Sequence, residues 1–235
     1  MLILALALGP MAAVAAYFYH RDKYEKEPLF LLLKAFFAGA CVIPLVIVLE
    51  LLIHVFVVNP ASSFPVLKAL LKAFLEAGLV EESCKFAVFM RLIYRNKEFN
   101  EPYDGILYSV MIALGFAFLE NLFHFVGHNS DLMIYKTGAV RAGVAVLGHV
   151  LFGAVMGYYF SKAKFSADDG AGKIWLLKGL GIAVFLHGLY DFLVFFYTTL
   201  GAALVIISFY YSWKFVFRAI VEAQASSPFK KQKDA

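Results

Sequence analysis

Charge is scarce in this chain. Asp, Glu, Lys and Arg make up 16% of its 235 residues, well under the roughly 25% of a soluble globular domain, so an ordinary aqueous surface cannot be built from it. Cysteine is nearly missing as well: Cys41 and Cys84 are the whole supply. Both lie inside apolar segments, which excludes a disulfide framework and a zinc-type Cys spacing and leads us to expect buried thiols. No His-Glu-x-x-His occurs, so the compact helical zinc signature is absent. The first segment, Met1 to Tyr19, has neither a basic leading region nor a small-residue cleavage site, which argues against a removable signal peptide and for a retained span. The formal net charge is only +4. Its basic residues fall between apolar runs and in the tail, which bears on membrane orientation and excludes a nucleic-acid partner.

Hydrophobic residues dominate instead, at 62%, with a mean hydropathy of +0.77. A helix crossing the hydrocarbon needs about 20 apolar residues, and several runs reach that length. The first is Leu2 to Tyr19, and the second is Pro28 to Val58. In the third, Lys68, Lys72 and Glu76 repeat at i, i+4, i+8 on one face of a helix starting near Pro65, which makes Ser62 to Lys72 an amphipathic, interfacial lead-in and Ala73 to Ile93 the span. Gly105 to Val126 and Gly138 to Phe160 are the fourth and fifth. After a polar linker, Ser161 to Lys173, the run from Ile174 to Ile220 is about 70 Å of helix and must turn once, at Thr198, Thr199 and Gly201. The expected fold is all-α: a polytopic transmembrane bundle of about seven spans, as one domain over residues 1–221 with a polar, basic tail over 222–235. Lys and Arg collect after spans one, three and five and in the tail, which places the N-terminus outside and the C-terminus in the cytoplasm of a multi-pass cell-membrane protein.

Ionisable side chains at bilayer depth cost at least about 2.5 kcal/mol each and need a partner or a purpose. Span three carries Glu81-Glu82-Ser83-Cys84-Lys85, with Glu81 and Lys85 spaced for an i, i+4 ion pair. Glu82 projects about 100° away and needs another partner. Span four has Glu120, then Asn121 and His124; span five has Gly148-His149, then Gly153 and Gly157 in a small-xxx-small row. Span six has His187 and Asp191 one turn apart, where the aspartate can orient the imidazole. Glu50 and His54 form a further i, i+4 pair on span two. Four helices thus each bring a carboxylate, an imidazole or both to membrane depth, and a shared interior cavity is the economical way to bury them.

Such an interior can activate water for hydrolysis of a peptide bond: one carboxylate takes the proton, a histidine supports the oxyanion, and the proton returns to the leaving amine. The donors Glu81, Glu82, Glu120, His149 and His187 also suit a divalent metal such as zinc, and this reading leaves metal-free and metal-assisted chemistry both open. A different class of function uses the same groups in a proton- or ion-coupled transporter or sensor, although no inverted repeat is evident. A structural scaffold is a third reading, weakened by the cost of so many buried charges.

The ordered set Glu81-Glu82-x-x-Lys85, Glu101-Pro102-Tyr103-Asp104-Gly105-Ile106, Phe116-x-x-x-Glu120, His149 with Leu151-Phe152-Gly153 and Met156-Gly157, and His187-Gly188-Leu189-Tyr190-Asp191-Phe192 resembles the PrsW family of bacterial and archaeal intramembrane proteases. That family is related more distantly to CAAX prenyl endopeptidases and bacteriocin-immunity membrane proteins. The resemblance implies a glutamic-type intramembrane endopeptidase in which Glu81 and Glu82 look like the essential glutamates, with Glu120, His149 and His187 as further polar site positions; Lys85 and Asp191 complete the candidate set. It also implies a membrane-anchored protein or peptide substrate, of which an anti-sigma factor cut in regulated proteolysis is one kind.

Overall fold

The protein is described from a computed structural model over residues 2–126, 132–195 and 198–230. The described residues form seven helices: α1 (Leu2–Arg21), α2 (Leu29–Ala61), α3 (65–92), α4 (Pro102–Val126), α5 (Leu132–Lys164), α6 (Asp169–Phe195) and α7 (Thr199–Ala225). Among the described residues there is no strand. Five of the helices, α2 and α4 to α7, are long and apolar enough to cross a bilayer. α3 differs because Lys68, Lys72, Glu76, Glu81, Glu82, Lys85 and Arg91 are spread along it. Of the turn residues the sequence suggests, Thr198 lies outside the helices while Thr199 and Gly201 are in the first turn of α7; Thr198 caps that helix by accepting from the backbone N–H of Gly201 at 2.9 Å.

α4 and α5 are the buried axis of the bundle. They approach closely because small residues face one another: a side chain at Gly157 would meet the Gly105 carbonyl, and one at Gly153 would meet Ala113 and Ser109. Around this axis the main core gathers Leu31, Leu32 and Ala35 of α2, Phe89 of α3, Phe152 and Phe160 of α5, Ala183 of α6 and Val216 of α7. Phe89 and Phe160 stack with centroids 4.2 Å apart.

Two expectations need correction. The lead-in and span three form one helix from Pro65, but Lys68, Lys72 and Glu76 do not repeat on one regular helical face, because that helix passes through a stretch of wide π-helical turns, Leu71–Leu79. Widened turns rotate the downstream residues relative to a regular helix, so Lys72 and Glu76 do not share one interfacial face. Lys72 lies over the Phe195 ring, while Glu76 binds His54. Cys41 is exposed rather than buried. It sits on a face of α2 that has no helix against it, and in a bilayer that face contacts lipid.

Candidate active site: a buried cluster of carboxylates and imidazoles

The wide turns of α3 end where Val80–Leu92 begins as regular α-helix, and its first turn carries Glu81 and Glu82. Lys85 follows one turn later and points to the same place. Its ammonium group donates to Glu82 Oε1 at 2.8 Å, to Glu81 Oε2 at 3.3 Å and to His149 Nδ1 at 2.9 Å. An ammonium has three protons and no acceptor, so these contacts use all of them and require Nδ1 of His149 to be a lone pair. The proton of that ring is therefore on Nε2, which donates to Glu120 Oε2 at 2.8 Å. α4 thereby holds the imidazole of α5 from behind.

α6 supplies the second imidazole. Gly188 leaves room for the Phe74 ring of α3, which a Cβ there would strike, so α3 and α6 lie close and His187 Nδ1 reaches Glu82 Oε1 at 2.9 Å. Its Nε2 faces Asp191 Oδ2 at 3.6 Å and Glu81 Oε2 at 3.9 Å. Aromatic rings wall the cluster: Phe152 stacks on His187 with centroids 5.3 Å apart, and Lys85 Nζ lies 4.0 Å from the centre of Phe116. Burial is nearly complete, with Glu82 at 0%, Lys85 at 2%, His187 at 3%, His149 at 4% and Glu81 at 6% exposed.

The residues singled out in the sequence thus meet in one place, with graded involvement. Glu81, Glu82, His149 and His187 offer ligand atoms that all lie within 4.8 Å of one another. Glu120 and Asp191 stand behind the two imidazoles, outside that compact set. Glu82 has a second carboxylate oxygen that is buried and without a hydrogen-bond partner. Two carboxylates and two imidazoles are a suitable donor set for a divalent metal, and the unsatisfied oxygen fits such a ligand.

The Glu101–Ile106 motif lies elsewhere. Asp104 accepts from the backbone N–H groups of Glu101 and Asn100 at 2.8 and 3.0 Å, closing the first turn of α4. Asp104 is about 24 Å of helix away from Glu120. The side chains of His124 and His128 fall outside the described residues. A pairing the sequence does not reveal is His54 with Glu76, at 2.8 Å. His54 has the expected spacing from Glu50, but its partner is on another helix.

The chain matches the model of the PrsW family intramembrane metalloproteases over residues 27–220. It is 35% identical to Protease PrsW of Bacillus subtilis (strain 168), covering 82% of each chain. It is 34% identical to Protease PrsW of Clostridioides difficile (strain 630), over 89% of this chain and 86% of that one. No solved structure matches it. With most of its length aligned to these relatives and its membrane-depth acids and imidazoles drawn together, the chain is a member of the PrsW family of intramembrane proteases.

Proposed function

We propose that Glu81 is the general base of this protease and that Glu82 is the fixed anchor beside it. One asymmetry carries this reading: Glu82 is held by Lys85 at 2.8 Å and His187 at 2.9 Å, whereas the nearest cation to Glu81 is Lys85 at 3.3 Å. The looser carboxylate is the better placed to accept a proton from water. The water oxygen bonds to the peptide carbonyl carbon as its proton passes to Glu81. His149 has both ring nitrogens engaged, so His187 is the imidazole left for the oxyanion: with Nδ1–H donating to Glu82, its protonated imidazolium form also carries an Nε2–H, on the side where Asp191 stands. The C–N bond then breaks, and Glu81 returns the proton to the leaving amine. A divalent ion held by Glu82, His149 and His187 would add positive charge that polarises the carbonyl and acidifies water, leaving Glu81 free for the proton.

The substrate is a membrane-anchored protein whose chain unwinds near the cut, because a helical carbonyl is already hydrogen-bonded. An anti-sigma-factor-type protein is one such substrate. Purified protein in proteoliposomes, incubated with single-span proteins and read by mass spectrometry, tests the reading. Glu81→Gln is expected to lower cleavage about 10²- to 10⁴-fold, the usual range for a general base, with insertion and folding preserved. Unchanged turnover would remove Glu81 from this role, and proton or ion flux without any cleavage would favour a carrier.

A further inference from the structure

At the centre of the cluster Glu81, Glu82, Lys85, His149 and His187 are buried, Glu82 at 0% exposure, while the Glu120 and Asp191 side chains behind the imidazoles are 28% and 19% exposed. A polypeptide backbone reaches Glu81 and Glu82 only if a wall of the bundle moves, and the walls are not equally fixed. The first half of α2 belongs to the main core through Leu31, Leu32 and Ala35. It crosses α4 so closely that a Cβ on Gly115 would overlap the Phe36 carbonyl. The second half is held differently. Of Ile43–Ile53 only Ile43 and Val46 are buried. They belong to a small separate apolar cluster with Val80 and Cys84 of α3 and Phe116 of α4. Leu45, Val48, Leu51, Leu52 and Phe56 of the same half point outward.

The junction between the halves is weak and the far end is tied. The helix steps at Val42, and Pro44 comes next but one, without an N–H to bond the preceding turn. Beyond it lies a wide π-turn, His54–Val58, and His54 Nδ1 meets Glu76 Oε2 at 2.8 Å within the π-turns of α3. Such turns exchange hydrogen bonds more readily than regular helix and recur at functional sites. Between these ends Glu50 lies one turn past Val46. Ile43 and Val46 pack against Val80 and Cys84, which flank Glu81 and Glu82 on α3, so this half of α2 lies against the helix segment that carries the catalytic acids.

We propose that residues 43–58 form a side door in the bundle, hinged at Val42 to Pro44 and latched by His54 and Glu76, through which a membrane-embedded substrate segment passes sideways from lipid to Glu81. This rests on the protease reading for its substrate. The outer face of the door is apolar and meets the lipid in which such a segment lies; its inner face carries Glu50 towards the site.

The native thiol in the small cluster reports the motion. In Cys41→Ser protein in proteoliposomes, Cys84 is the one remaining cysteine, and a membrane-permeant maleimide reads its exposure. Adding Glu76→Gln is expected to speed its alkylation about tenfold, the change expected when one partly buried, charge-assisted hydrogen bond is lost. If that variant does not fold, His54→Gln tests the same latch. In a second arm, His54→Cys and Glu76→Cys are combined with Cys41→Ser and Cys84→Ala and bridged by a reducible bis-thiosulfonate. Cleavage of a single-span protein should fall at least tenfold on bridging and return on reduction. Equal alkylation rates with and without the latch, or undiminished cleavage by the bridged protein, would overturn the door. Faster alkylation without cleavage by any form, bridged or free, would count against proteolysis and not against the moving wall.

Discussion

At the scale of the residue, Lys85 ties two acids and an imidazole together, besides favouring the ionised form of the acids. It is 2% exposed and directs its protons at Glu81, Glu82 and His149. Removing one partner of a buried charge network leaves the others uncompensated, at a cost of about 3–5 kcal/mol. Lys85→Met is therefore expected to lower the melting temperature in detergent, as well as activity, and a melting curve checks it; an unchanged midpoint would return Lys85 to a purely tuning role. The imidazoles and Glu82 are the ligands proposed for a divalent metal. If the donors act as a set, wild-type protein should retain about one divalent ion per chain after desalting, and His149→Ala or His187→Ala should lose it, as read by elemental mass spectrometry. Equal metal content in all three would remove these residues from the ligand set. The sequence identified the acids and imidazoles, since polar side chains in apolar runs are conspicuous. It could not give the pairings: Lys85 and His149 are 64 residues apart, and His187 and Glu82 are 105 apart.

At the scale of the element, helices were readable from apolar run length, and the α6–α7 turn from run length and Thr198. The wide turns of α3 and of the second half of α2 were not, because hydropathy does not record whether a backbone bond spans four residues or five. Close helix crossings were partly legible. The Gly153 and Gly157 row on α5 marks its contact with α4, but nothing local announces that Gly39 and Gly115 let α2 and α4 meet at backbone distance. Gly115→Ala should therefore destabilise by more than the usual 1–3 kcal/mol of overpacking, because its Cβ would overlap the Phe36 carbonyl rather than a movable side chain. Gly181→Ala, where a Cβ meets nothing within 4 Å, should be neutral or stabilise by about 0.5–1 kcal/mol through helix propensity. Thermal unfolding of the two variants side by side tests the contrast; equal effects would contradict the described crossing.

At the scale of the whole molecule, the turn ends away from the active site hold a second group of acids. Burial, only partly offset by the Tyr108 hydroxyl, raises Glu27 from its ordinary 4.5 to about 7, and burial, partly offset by the Ser227 hydroxyl, raises Glu101 likewise to about 7. Asp22 is also raised, by burial first. Between pH 4.5 and 7 the unfolded chain gives up protons that the folded chain keeps, so the contribution of these acids is full below pH 4.5 and is lost as pH rises through 7. Purified protein should melt at a higher temperature at pH 5 than at pH 8, and Glu27→Gln with Glu101→Gln should flatten that slope. A melting temperature that rises with pH in the wild type would contradict it.

The sequence by itself determined the solvent and the chemistry available. Apolar runs of bilayer length dictate a helical membrane protein, because backbone groups in lipid must bond within their own segment. Ionisable groups inside those runs mark where function resides. Only the tertiary structure decided which acid is tied and which is loose, that Glu120 and Asp191 stand behind the imidazoles, and that His54 bonds Glu76 rather than Glu50. Those outcomes depend on ångström distances between helices far apart in the chain, set by glycine contacts and widened turns that leave no periodic trace in the order of residues.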